Sequence, residues 1–261
     1  MGDMGTKASP GRWVRVPVVR QGYIDVLRVG QRKRVIHGLF QADVTRLMAR
    51  RAAVRAAGAQ PLSVTASVAH AIGVAVAENP MLHALPVGRR VRVFDDVDIN
   101  TQIEVRLEDH SIVKPHIIRA AQAKSPREIH DELRAAQRPE PQDDRFLRAM
   151  ERFLALPAAS RAPFWWYLRR RPELFRKLGG TVGLSAVGMF GPQGGWAIPI
   201  SMPTLMVAVG GMETRPAWID GSARPRTYLN LTVSVDHDIV DGAPAARFAD
   251  RLCTLLDEAA A

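Results

Sequence analysis

The stretch "TYLNLTVSVDHDIVDGAPAARF", Thr227–Phe248, changes period in its middle. Leu229, Leu231, Val233 and Val235 alternate with Tyr228, Asn230, Thr232 and Ser234, the two-residue period of a strand. From about Gly242 a helix is expected, with Phe248, Leu252, Leu255 and Leu256 at helical spacing. His237 therefore falls in a short turn at the end of a sheet, a place where rigid scaffolds often carry function. An imidazole there can take a proton from a thiol or hydroxyl near neutral pH. Asp241 stands at the helix start, where a carboxylate caps free N–H groups and suits the positive end of the dipole. Gly242 lets the backbone turn before Ala243-Pro244 opens the helix. On these residues alone, a structural histidine beside a helix cap is the commoner reading.

Upstream, "RVIHGLFQADV" reads as a strand and "VTRLMARRAAVRAAG" as a helix that stops at Gly58. "PLSVTASVAHAIGVAVAENP" is apolar almost all round, which predicts a buried helix from about Ser63 to just before Pro80. "RRVRVFDDVDINTQIEVRL" reads as strand-rich, with Val91, Val93, Val97 and Ile99 in alternation, and "SIVKPHIIRAA" as a further strand. "SPREIHDELRAAQ" carries a helix start: Ser125 as N-cap, Pro126 first, Glu128 three residues on. Residues 139–178 are dense in Pro, Arg and aromatics and predict two or three short helices. After Gly179-Gly180, "TVGLSAVGMFG", "GWAIPI", "TLMVAVGGM" and "TYLNLTVSV" read as β-structure. The pattern predicts a loose segment at 1–12 and one α/β domain at 13–261, with a mixed sheet and a helical insertion at 139–178.

Composition narrows the function. The 261 residues carry a net charge of +10, from 31 Arg and 5 Lys against 26 acidic residues. Such charge suits nucleic acid, anionic lipid or a phosphate-bearing ligand. The arginines are spread along the chain, and no zinc-finger spacing or RNA-binding aromatic motif accompanies them, so nucleic-acid binding is not expected. Phe164, Trp165, Trp166 and Tyr167 beside Arg169–Arg171 suit a membrane surface. Packing onto the domain or a neighbouring subunit explains them as well, and is preferred. No apolar run reaches the ~18–20 residues that span a bilayer, and the N-terminus has no apolar signal segment, so a cytoplasmic protein is expected. Cys253, the one cysteine, falls in the last amphipathic segment and reads as a small apolar residue.

The other six histidines are scattered, without a His-x-x-x-His pair, and no metal site is expected. Ser185 lies in "GGTVGLSAVGMFG", where Val187 replaces the second glycine of a hydrolase elbow, so a serine-nucleophile triad is not expected. A serine hydroxyl can also donate to a developing oxyanion. The glycines around Ser185 suit close backbone approach, turns or bulges alike.

Taken together, "HDIVDG" preceded by Asp236, the glycine-rich "GGTVGLSAVGMFG", "PISMPTLMVAVGGMETRP" and "ENPMLHALPVGRRVRVFDDVDINTQIEV" resemble the catalytic domain of the 2-oxoacid dehydrogenase acyltransferases. These are the dihydrolipoamide acyltransferases, which share a fold with chloramphenicol acetyltransferase. The likeness covers most of residues 34–136 and 180–257, with its segments in the family's order. It implies a two-layer sandwich, a mixed β-sheet covered by helices. By position it makes His237 the general base that deprotonates the attacking group, Ser185 the donor to the tetrahedral oxyanion, and Asp241 the support of the histidine's loop. Coenzyme A or acyl-CoA would be a substrate, without a metal. The resemblance also implies a homotrimer in which His237 and Ser185 of one site come from different chains.

Four departures bear on the acceptor. The family usually has arginine after the histidine; here it is Asp238. A carboxylate beside the base favours the imidazolium and opposes base action, although side chains adjacent on extended backbone point apart. No lipoyl-lysine hairpin is seen, so no lipoyl group is expected on this chain, and a lipoyl domain on another chain is one acceptor. The segment 139–178 is longer than expected between the flanking elements. The ending "LLDEAAA" leads us to expect a trimer rather than a larger cage. The reading is a stand-alone CoA-dependent acyltransferase acting on a thiol, hydroxyl or amine acceptor. The alternative is a non-catalytic trimeric assembly or binding protein that keeps the fold.

Overall fold

The alternating run proves to be the inner half of a long strand. The computed structural model describes residues 11–106, 111–138, 144–187 and 194–258. In it β1 (Val35–Asp43) follows an N-terminal helix, α1 (Val19–Gly30), and α2 (Thr45–Ala56) and α3 (Val64–Ala77) come next. A short hairpin of β2 (Leu85–Val87) and β3 (Arg90–Arg92) precedes β4 (Ile99–Arg106), β5 (Ser111–Ile118) and α4 (Pro126–Ala136). Three helices follow, α5 (Asp144–Ala155), α6 (Ala158–Arg169) and α7 (Pro172–Gly179). The chain ends with β6 (Val182–Ala186), β7 (Leu205–Ile219), β8 (Ser222–Asp236) and α8 (Gly242–Glu258).

Six strands form one sheet in the order β1-β8-β7-β6-β4-β5. The pairs β4–β6 and β6–β7 are parallel and the others antiparallel, so the sheet is mixed. Leu229, Leu231, Val233 and Val235 of β8 share one core with Leu47 of α2, Ile72 of α3, Ile129 of α4, and Phe248, Leu252 and Leu256 of α8. Each fully buried aliphatic or aromatic side chain there contributes roughly 1.5–3 kcal/mol. The opposite face of β8 is polar yet also buried: Asn230, Thr232 and Ser234 are each 1% exposed or less. Gln41 of β1 donates to Asn230 at 2.8 Å, and His37 of β1 is bonded to Ser234 at 2.8 Å. His37 is thus a satisfied structural histidine.

The ends of α2, α3 and α4 are as the sequence requires. Ser63 caps α3 by accepting from the Ala66 N–H. Ser125 and Glu128 close a reciprocal capping box on α4, and Gly58 ends α2 at φ +76°.

Several expectations are corrected. The stretch 90–106 is not a run of continuous alternation. Val91 and Val93 are exposed, and the strand breaks between Arg92 and Ile99, where buried Asp98 takes the place of a strand residue. "GWAIPI" forms no strand, because Pro199 lacks an N–H. Its Gly195 carbonyl instead accepts from the Gly211 N–H at 3.0 Å, beside a β-bulge between Val209 and Met212. A Cβ at Gly210 would overlap that carbonyl, which accounts for the glycine. Helix α1 was not anticipated from the sequence. The expected loose segment 1–12 falls almost wholly outside the described residues.

The region 139–178 contains three helices, with 139–143 outside the described residues. It is tied to both ends of the fold. Leu168 of α6 and Phe175 of α7 pack with Leu85 and Phe94 in a second, smaller core. Buried Asp98 accepts from Arg176 of α7 and from Arg119, each at 2.8 Å, and from the Ala120 N–H at 3.0 Å. Burial alone would raise the Asp98 carboxyl, but these donors hold it below the usual carboxylate range. The Asp98 carbonyl also accepts from the Thr181 and Val182 N–H groups, which starts β6.

Gly180 makes this strand entry possible. Its φ is +70°, and a Cβ would lie 2.7 Å from the Asp98 carbonyl. Gly88, at φ +62°, has open space around it. Gly180→Ala is therefore expected to cost more than Gly88→Ala, which carries only the backbone strain of roughly 1–3 kcal/mol. Chemical denaturation of both variants checks this; equal midpoints would show that close approach to Asp98 is not what requires the glycine.

Candidate active site

His237 is the first residue after β8, and its position is fixed from three sides. Its backbone N–H donates to the Arg34 carbonyl at 2.8 Å, which docks the turn on the start of β1. The preceding Asp236 is buried, 3% exposed, and pairs with the Lys33 ammonium at 3.0 Å. Asp236 also accepts from the Asp238 N–H at 3.2 Å through its carboxylate, and from the Ile239 and Val240 N–H groups at 3.0 Å through its carbonyl. Lys33 donates in addition to the Pro203 carbonyl at 3.2 Å. Burial pulls its ammonium down from the usual lysine range, and the Asp236 carboxylate opposes that pull. The consecutive cations Lys33 and Arg34 thus clamp the consecutive residues Asp236, His237 and Asp238.

The side chains of the turn separate by role. The Asp238 carboxylate pairs with the Arg34 guanidinium at 2.7 Å, an exposed contact. The charge that seemed to sit unopposed beside the imidazole therefore has a cation of its own. The imidazole of His237 is half exposed in the single chain, with Nδ1 4.0 Å from the Asp241 carboxylate. Asp241 is largely exposed, and its backbone carbonyl accepts from the Ala245 N–H at 3.3 Å. At this distance Asp241 is a neighbour of His237 rather than its hydrogen-bond partner.

Ser185 lies on β6, opposite Ala208 of β7, which is opposite Thr232 of β8. His237 is five residues further on, just past the end of β8 and two residues beyond the level at which β6 starts. Five residues at ~3.3 Å and two strand spacings at ~4.8 Å separate the two side chains by on the order of 20 Å. Within one chain the fold does not bring Ser185 to His237. The two are half-exposed groups on different parts of the sheet.

Lys33, Arg34 and Asp236 had no assigned role in the sequence reading, although "KR" at a predicted strand start and "DHD" at a strand end were visible. Their pairing is long-range and leaves no local pattern. His83 is buried, with Nδ1 3.1 Å from the Thr181 hydroxyl, and burial pushes it down to about 4. It is a neutral core histidine. Cys253, pushed up to about 11 by burial, is a packed thiol. Among the described residues no group of three or more His, Cys, Asp or Glu is placed to hold a metal. Nor is any described helix long and apolar enough to cross a membrane.

The chain is similar to known proteins in sequence and in fold. Residues 176–261 match the family model of the 2-oxoacid dehydrogenases acyltransferase (catalytic domain). The chain is 33% identical over 90 residues to the dihydrolipoyllysine-residue acetyltransferase component of the pyruvate dehydrogenase complex of Zymomonas mobilis. That match spans 34% of this chain and 20% of the relative, so the chain aligns with about a fifth of its length. The structure of a probable dihydrolipoamide acetyltransferase from Listeria monocytogenes superimposes with a TM-score of 0.70 at 21% identity, over 96% of each chain. A chloramphenicol acetyltransferase superimposes with a TM-score of 0.51 at 13% identity, over 92% of this chain and 98% of that one. From α7 to its end, the chain thus matches the catalytic domain of the 2-oxoacid dehydrogenase acyltransferase family, and over nearly its whole length it has the chloramphenicol acetyltransferase-like fold.

Proposed function

We propose that this chain is a CoA-dependent acyltransferase that moves an acyl group between CoA and a thiol, hydroxyl or amine acceptor, with His237 as general base. The observation that carries this reading is the clamped turn. One buried ion pair, one exposed ion pair and four hydrogen bonds from backbone N–H groups hold one accessible imidazole at a strand end, within the segment that matches the family. A base held this way takes the proton of the attacking thiol as the thiolate adds to the acyl carbonyl. It then returns the proton to the leaving CoA sulfur. The charge on the carbonyl oxygen needs a fixed donor, and the Ser185 hydroxyl suits that role.

Ser185 is about 20 Å from His237 in the same chain, an estimate from strand spacings. A site using both residues takes His237 from one subunit and Ser185 from its neighbour. This supports a homotrimer with active sites at its boundaries. Asp241 supports the turn from outside rather than carrying a proton. A lipoyl domain on another chain fits as acceptor, and the cytoplasm as location. The test is acyl transfer from acetyl-CoA to dihydrolipoamide, followed as CoA release. Turnover by the wild-type chain is expected; no release with acetyl-, succinyl- or branched acyl-CoA would sink the proposal.

A non-catalytic trimeric assembly or binding protein is the alternative, and its motives are Asp238 and the lack of a lipoyl-lysine hairpin. The Arg34 pair bears on the first and weakens it. An exposed pair is worth about 0.2–1 kcal/mol, so freeing Asp238 can slow the reaction by no more than about fivefold. Arg34→Ala is expected to lower the rate within that limit, and Arg34→Ala with Asp238→Ala to restore it. Steady-state rates decide this; a hundredfold loss in Arg34→Ala would show that Arg34 does more than shield Asp238.

A further inference from the structure

A pocket lies on the helical side of the sheet, away from the histidine turn. It has a volume of about 440 Å³ and is lined by residues of α2, α3, α4 and α8. That is within the range of small-ligand sites, roughly 300–1,000 Å³. Leu255 of α8 forms part of its wall, 13 residues beyond Gly242 and so ~20 Å along the helix from the turn that holds His237. The pocket does not belong to the candidate active site.

Its chemistry is two-sided. Leu47, Val54, Leu62 and Leu255 make it apolar, while Arg51 and Arg127 bring cationic groups to the same space. Two guanidinium nitrogens of Arg51, Nε and Nη1, are buried and have no hydrogen-bond partner among the described residues. Buried N–H donors are almost always satisfied, and a cationic one left alone costs more than a neutral one. The charges around Arg51 do not compensate it. Burial, Arg55 and Arg134 all work against its charged form. The nearby carboxylates have other partners: Glu258, which lines the pocket, lies 3.8 Å from Arg251, and Glu128 is bonded to Ser125. His70, which lines the pocket, has Nδ1 engaged with the Lys124 carbonyl, and the buried His130 nearby accepts from the Ser63 N–H. The capping box of α4 engages the Ser125 and Glu128 N–H groups within the helix end itself.

We propose that this pocket is a ligand site for a small amphipathic anion, a carboxylate or phosphate monoester on a short apolar tail, whose head group pairs with Arg51. The guanidinium supplies directional donors matched to carboxylate or phosphate oxygens. The aliphatic wall takes the tail, and Arg127 at the exposed mouth adds attraction. The site is independent of acyl transfer.

The test is calorimetric titration of the full chain with hexanoate, hexyl phosphate and inorganic phosphate. Hexanoate or hexyl phosphate is expected to bind saturably, one per chain, and at least tenfold more tightly than inorganic phosphate. The tighter of the two identifies the head group. Arg51→Met is expected to weaken binding tenfold or more, and Arg127→Ala several-fold, while His237→Ala binds as wild type and CoA does not compete. Arg127→Ala, at an exposed position, keeps the test decisive should Arg51→Met fold poorly. Absence of saturable binding by every probe, unchanged affinity in the arginine variants, or competition by CoA would overturn the proposal.

Discussion

His237→Ala is expected to reduce acyl transfer by about 10²–10⁴-fold, the range that a positioned general base contributes. The loss should come without a loss of stability. The imidazole is half exposed, and the contact that docks this residue on β1 is its backbone N–H. Substitution of such a side chain changes stability by about 0.5 kcal/mol or less. A fall in rate with an unchanged denaturation midpoint therefore separates chemistry from folding. The same variant tests the shared site. When His237→Ala and Ser185→Ala chains are co-assembled, roughly a quarter of the boundaries in a random mixture join an intact His237 to an intact Ser185. Activity should return in the mixture although neither variant has it alone. Equal rates in wild type and His237→Ala would end the base assignment. A mixture as inactive as its parts would end the shared site and leave the base assignment standing.

How much of this was legible depended on how local each signal was. The alternation in β8, the caps at Ser63 and Ser125 and the stop at Gly58 are written in neighbouring residues, and the structure has each of them. The strand–turn–helix around His237 was legible for the same reason. The support of His237 was not: Lys33 and Asp236 are two hundred residues apart in sequence and meet only because β1 pairs with β8. The partner of Asp238 was hidden on the same ground, since Arg34 reaches it through that pairing. Helix α1 was missed because its sequence, "VRQGYIDVLRVG", has no side-chain cap and no acidic first turn to mark its start. What holds it is again distant, a buried ion pair with the helical insertion at 139–178.

Arg161→Ala is expected to cost about 3–5 kcal/mol, the effect of stranding one member of a buried ion pair. Asp25 of α1 and Arg161 of α6 have side chains 6% and 2% exposed, and they meet through two bonds, Nε at 2.7 Å and Nη2 at 3.0 Å. Arg161 also donates to the Leu154 carbonyl at 3.1 Å and to the Leu156 carbonyl, so one guanidinium joins α1, α6 and the end of α5. Its bond holds the Asp25 carboxyl below the usual range against the opposing effect of burial, with help from the Trp165 N–H. A depressed carboxyl stabilises the fold above its unfolded pKa of ~3.9 and loses that contribution as pH falls through its folded value. The variant should therefore lose stability at neutral pH and show a flatter acid limb. At about 2–4 °C per kcal/mol for a chain of this size, the melting temperature should fall by on the order of 10 °C. Replacing both partners, Asp25→Leu with Arg161→Met, should recover most of the loss, because no charge is then left buried. The damage should begin at α1, and hydrogen exchange should rise there before it rises in β7 and β8. Helix α1 ends at Gly30, where a Cβ would press on Ile200 and Ser201, and three residues later the chain supplies Lys33 to Asp236. Loosening α1 therefore loosens the clamp on His237, and Arg161→Ala should slow acyl transfer from a residue outside the site. Unchanged exchange in α1 would show that the ion pair does not hold this helix, and normal turnover in the folded variant would show that the clamp stands without it.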